Sequence, residues 1–156
     1  MSAETWELLS YVVTVIGLPL AIGVFIYEQR KERLNEADAV YESISDNYQE
    51  FLRVVLEHPD LRLFSMAKTP ELNAEQRERM MVIFGMLISL FERAYLLMYD
   101  EKLTGTKLRR WRSWEDYMGE WCQREDFRDA LPSLLVGEDP EFCTYISRLA
   151  ATDPAP

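Results

Sequence analysis

Between Glu7 and Glu28 the chain runs for twenty residues without a charge, residues 8–27 (LLSYVVTVIGLPLAIGVFIY). As a helix that run is about 30 Å long, close to the thickness of the hydrocarbon core of a bilayer. A secretory signal would carry a basic flank in front and small residues at its end. Here Glu4 and Glu7 precede the run, and Phe25, Ile26 and Tyr27 close it. A core helix of a soluble domain would keep a polar face, which this segment lacks. A single N-terminal transmembrane helix, residues 1–29 with a short external end, is therefore expected.

Orientation follows from charge. Arg30, Lys31 and Arg33 come directly after the run, and no Lys or Arg comes before it. The positive-inside bias places the N-terminus outside and the C-terminus in the cytoplasm of an inner (plasma) membrane protein. Trp6, Tyr11 and Tyr27 lie near the ends, where amphipathic rings favour the interface. Ser10, Thr14, Gly17 and Ala21 fall at i, i+4, i+7 and i+11, a stripe of small residues that suits close helix–helix approach in lipid. It is read as helix-associating or pore-lining; a plain anchor has the same residue types. Pro19 removes one backbone donor from the middle of the span.

Beyond the anchor, residues 30–150 suffice for one small domain, and residues 151–156 (ATDPAP) read as a flexible tail. Of the 156 residues 48% are hydrophobic, which argues against disorder. A net charge of −10 argues against general nucleic-acid affinity. Cys122 and Cys143 form no C-x-x-C pair and are expected as reduced thiols.

The remainder reads as helices throughout, an all-α fold with a small cytosolic bundle. Val40, Tyr41, Ile44, Tyr48, Phe51, Leu52 and Val55 keep a 3.6-residue period, and no Gly or Pro separates this stretch from the apolar run. His58-Pro59 stops it. Residues 60–67 are expected as a short helix. Asn73 with Gln76 forms a capping-box pattern opening an apolar helix over 74–99. Its run MMVIFGMLISLF is short and is followed by Glu92 and Arg93, so it is expected in the core, with those two residues as a polar pair that orders it or, alternatively, one that contacts a ligand. A helix over 107–124 puts Trp111, Trp114, Met118, Trp121 and Cys122 on one face. Another follows over 126–135, Gly137 ends it, and Asp139-Pro140-Glu141 opens the last.

No nucleotide-loop, zincin or serine-hydrolase motif occurs, and His58 is the lone histidine. No enzyme activity, cofactor or metal site is expected, because catalysis and metal binding need several groups converging. His58 is assigned to a helix end, and the acid pairs Glu115-Asp116 and Glu125-Asp126 to solvated surface or caps. The ligand candidate is Lys107, Arg109, Arg110 and Arg112, with Trp111 and Trp114 among them. Guanidinium forks suit phosphate oxygens and indoles stack on bases, so a nucleotide or oligonucleotide is one reading. Anionic headgroups and ordinary salt bridges, such as Arg112 with Asp116, are the others.

Residues 87–99 (LISLFERAYLLMY), 111–132 (WRSWEDYMGEWCQREDFRDALP) and 137–142 (GEDPEF) resemble a group of small, mostly uncharacterised bacterial proteins with one membrane helix and a helical cytosolic domain. The resemblance covers about residues 40–146 of this chain. The architecture is similar to that of the channel-forming membrane effectors of antiphage systems paired with a nucleotidyltransferase, the Hailong type. The resemblance implies a homo-oligomeric effector in antiviral defence, an ion channel whose state a cytosolic ligand sets, with a partner protein encoded nearby. A membrane-tethered adaptor or scaffold binding a partner protein is the alternative.

Overall fold

The computed structural model describes the backbone of residues 3–151 and all side chains within it except those of residues 3–14, 16 and 34. Every element among the described residues is helical: α1 (Ala3–Glu57), a 3-10 turn (Pro59–Leu61), α2 (Ala74–Met98), α3 (Gly105–Gln123), α4 (Glu125–Leu134) and α5 (Pro140–Ala151). The all-α expectation holds. The chain divides into two compact units between Val40 and Tyr41.

In the first unit, α1 carries Pro19 inside it. Its described large apolar side chains from Val15 to Tyr27 are all exposed.

The second unit is a bundle built from the last turns of α1 and from α2 to α5. Ile44, Tyr48, Phe51 and Val55 are buried at helical spacing, as their period predicts. Trp111, Trp114, Met118, Trp121 and Cys122 form the buried face of α3. Two aromatic groups fill the centre. Tyr48 meets Trp114 edge-on at 5.6 Å, and Phe84 meets Phe127 at 5.1 Å; Trp111, Tyr95, Tyr99 and Tyr145 make the other group, with centroids 4.7–6.0 Å apart. Two of the three buried indole N–H groups of the bundle find a phenol: Trp121 Nε1 donates to Tyr48 Oη at 3.2 Å, and Trp111 Nε1 to Tyr145 Oη at 3.2 Å. Tyr145 in turn donates to Glu115. Edge-on rings add about 0.5–1.5 kcal/mol each beyond their buried area, so this core is both dense and directional.

Local signals set the helix starts. At α2, Asn73 Oδ1 accepts from Gln76 N at 2.8 Å, and Gln76 Oε1 accepts from Asn73 N at 3.1 Å, a complete capping box. At α5, Asp139 Oδ1 accepts from Glu141 N and Phe142 N at 2.9 and 3.0 Å, with Pro140 in the first turn. Gly137 takes a φ of +96°, the left-handed region in which a side chain would be strained.

α2 is long and apolar enough to cross a membrane, yet half of its apolar window is buried inside its own unit, where Ile83, Phe84, Leu87, Ile88 and Phe91 face the bundle. Two expectations fail nearby. Residues 60–67 form only the 3-10 turn Pro59–Leu61 and then an irregular strap, because its carbonyls are claimed by Arg124, as described below. Glu92 and Arg93 do not act as a pair: Arg93 is exposed, and half-buried Glu92 turns to the start of α5, where it accepts from Asp139 N at 2.5 Å.

Candidate functional site

The cations singled out on α3 do not converge. At about 100° per residue, Arg110 and Arg112 lie on opposite flanks of the helix and Arg109 between them on the outer side. Lys107, Arg109 and Arg112 are exposed, and Arg109 Nη2 donates to Thr106 Oγ1 at 3.2 Å. Arg110 is half-buried, with its guanidinium 4.7 Å from the centre of the Tyr41 ring. Trp111 and Trp114 belong to the core, 3% and 2% exposed, so neither indole stands beside the cations as a stacking surface. Amphipathic α3 thus separates the two halves of the expected anion site: indoles inward, cations spread around the outside.

Of the small-residue stripe, Ser10 and Thr14 lie outside the described side chains; Gly17 is half-exposed and Ala21 exposed. Trp6 and Tyr11 also lie outside them. The segment's defining property is its exposure. Val15, Leu18, Leu20, Ile22, Val24, Phe25, Ile26 and Tyr27 are 46–69% exposed, and by helical spacing they point in every direction around the axis. Burying one such side chain fully is worth about 1.5–3 kcal/mol. Eight within thirteen residues, on all sides, make a surface that the described residues do not cover.

The bundle holds a charged centre that the sequence reading missed. Arg124 is the single extended residue between α3 and α4 and is 1% exposed. Four of its five guanidinium N–H groups donate hydrogen bonds, and the fifth, at Nε, lies in ion-pair contact with Asp126 without one. Nε pairs with Asp126 Oδ1 at 2.5 Å and Nη2 donates to Asp126 Oδ2 at 2.8 Å. Nη1 donates to the carbonyls of Arg62 and Ser65 at 2.8 and 2.5 Å, and Nη2 also to Thr69 Oγ1 at 2.7 Å. Thr69 passes the link on to the Leu61 carbonyl at 2.6 Å. Asp126, expected as solvated surface or a cap, is 6% exposed in the first turn of α4. One fork therefore pins the strap over 61–69 to the α3–α4 joint and holds Arg62 at a left-handed φ of +47°. Arg128 finishes the joint by donating to the carbonyls of Cys122 and Gln123 at the end of α3, at 3.1 and 2.8 Å. The strap presents Phe64 and Met66 to solvent. His58 closes α1 through its backbone: its N–H donates to the Val55 carbonyl at 3.2 Å, and its imidazole makes no capping bond to the turn that follows.

A second cluster of acids lies where α5 begins. Glu138 hydrogen-bonds to Glu92; that bond, burial, and the charge of Glu92 push its carboxyl up to about 7. Glu138 keeps its proton because a second anion beside Glu92 would be repelled. The sign is the reverse of the usual acid: Glu138 favours the fold while protonated. This support is complete below about 4.5, its ordinary value, and is lost as pH rises through about 7. A Glu92→Gln chain should titrate Glu138 well below 7, because an amide donates to the carboxylate where a second carboxyl repelled it and only burial still raises it. Carboxyl-carbon NMR reads the midpoint directly; a midpoint left near 7 would contradict the pairing.

Comparison with family models, curated proteins and solved structures returns no match for this chain.

Proposed function

We propose that this chain is a membrane-anchored, self-associating effector. Residues 8–27 cross the inner membrane once with the N-terminus outside, and the bundle works in the cytoplasm. Several copies associate, and the stripe Ser10, Thr14, Gly17 and Ala21 brings their membrane helices together around a pore. The observation that carries this reading is the all-round exposure of the apolar side chains from Val15 to Tyr27. A helix that is apolar on every side is stable only when buried in protein or in lipid. The basic residues directly after the run support the orientation. Association within a membrane needs only modest affinity, because tethering raises the effective concentration of each copy. The bundle is the part that would sense a cytosolic signal, and gating requires a signal with different affinities for the closed and open assemblies. Antiphage defence is the biological setting we infer from the architecture.

The test uses the full chain purified in detergent and returned to liposomes. The effector reading expects an oligomeric protein mass by light scattering and ion flux through the liposome wall. A monomeric mass overturns it.

The strap favours a second reading. Phe64 and Met66 stand in solvent on a segment that Arg124 holds rigid, which suits docking of a partner protein to a tethered adaptor. An oligomer without flux, whose partner binding is lost on Phe64→Ser, would select the adaptor.

A further inference from the structure

α2 carries a second apolar surface, turned away from its core. Val82, Met86, Leu96 and Leu97 are 46–59% exposed, with Ser89 and Arg93 exposed among them. At 100° per residue these six positions fall within about 100° of arc, the width of one helix–helix contact. The order of residues along the stripe is self-complementary about position 84. Val82 mirrors Met86, Arg79 mirrors Ser89, and Glu75 mirrors Arg93. Among the described residues Arg93 forms no ion pair within its own chain. Glu75 pairs with Arg79 but stays largely exposed, its side chain 79% accessible.

We propose that α2 pairs antiparallel with α2 of a second copy across a two-fold axis at position 84. Val82 of each copy packs against Met86 of the other, and Glu75 of each meets Arg93 of the other. Charge complementarity selects the direction. A parallel pairing would set Arg93 against Arg93 and Glu75 against Glu75, whereas the antiparallel one makes two opposite-charge pairs flanking an apolar centre. This is the isologous geometry of a two-fold interface. Gly85, beside the stripe, leaves open space where a side chain would stand, so a neighbouring helix can approach. The apolar part is smaller than a standard interface of about 800 Å² per partner. The pairing therefore rests on the anchored reading, in which tethering supplies the concentration that the contact area alone does not.

The test is disulfide cross-linking of the full chain in isolated bacterial membranes. Two differently tagged copies are co-expressed, one carrying Val82→Cys and the other Met86→Cys, both with Cys143→Ser. Cys122 is buried, which pushes its thiol up to about 12 and keeps it unreactive. The expected result is a strong hetero-tag cross-link between positions 82 and 86. Leu97→Cys gives none, because its counterpart lies roughly 39 Å away along an antiparallel pair. Arg93→Glu lowers the 82–86 yield about tenfold, and Glu75→Arg on the same chain restores it. No 82–86 cross-link in chains that sediment with membranes overturns the pairing, and so does a strong 97–97 cross-link. Chains that cross-link 82 to 86 but leave the membrane fraction overturn the anchor and keep the pairing; chains that do neither overturn both.

Discussion

An Arg124→Ala chain should lose about 3–5 kcal/mol of stability in the bundle, the range for stranding one member of a buried ion pair. The substitution leaves Asp126 charged and enclosed, and takes the donors from the carbonyls of Arg62 and Ser65 and from Thr69 Oγ1. It also releases the strap, so Phe64 and Met66 lose their fixed positions. With a urea slope of about 1–3 kcal/mol per molar, the unfolding midpoint should fall by roughly 2 M. Trp114 and Trp121, both in the core, supply the fluorescence signal. A second chain isolates the cause. Arg124→Met with Asp126→Leu removes both charges at similar volume and should be less destabilised than Arg124→Ala, since no ion is left without its partner. If the double change costs more than the single, the stranded charge is not what destabilises Arg124→Ala.

On the proposed anchoring by residues 8–27, arginine at both Leu18 and Leu20 should release the chain from the membrane fraction. Each arginine near the centre of a span costs about 2.5–3.5 kcal/mol on an insertion scale, so the pair costs about 5–7 kcal/mol. That corresponds to a thousandfold or greater shift in partition. The two positions lie about 200° apart around the helix, so one rotation cannot turn both away from lipid. Ile22→Val, which keeps the segment apolar, should leave the distribution unchanged. Quantitative blotting of membrane and soluble fractions reads all three chains together. A double-arginine chain retained in the membrane would mean that residues 8–27 are not what holds the protein there.

Much of the fold is written locally. The Asn73–Gln76 box and the Asp139-Pro140 start each need only residues three or four apart, so their pattern and their geometry coincide. The inward face of α3 is equally plain, since Trp111, Trp114, Met118 and Trp121 recur at helical period. What escaped depends on residues distant in sequence. Arg124 looks like a surface cation at a helix junction until the strap, 55–62 residues earlier, brings it three oxygen acceptors. The same acceptors explain why residues 60–67, helical by composition, are not a helix. Glu92 has a cation as its sequence neighbour, but its working partners, Glu138 and the Asp139 N–H, come from the far side of α4. The placement of the α3 residues is legible from 100° per residue alone, which turns Trp111 and Trp114 inward and spreads the cations around the helix.

The central claim is that residues 8–27 belong in lipid. Full-length protein expressed in bacteria, with membranes washed in alkaline carbonate and then sedimented, measures it most directly. The account predicts that the chain stays in the pellet and leaves it only when detergent is added. Recovery of the folded chain in the carbonate supernatant would contradict it.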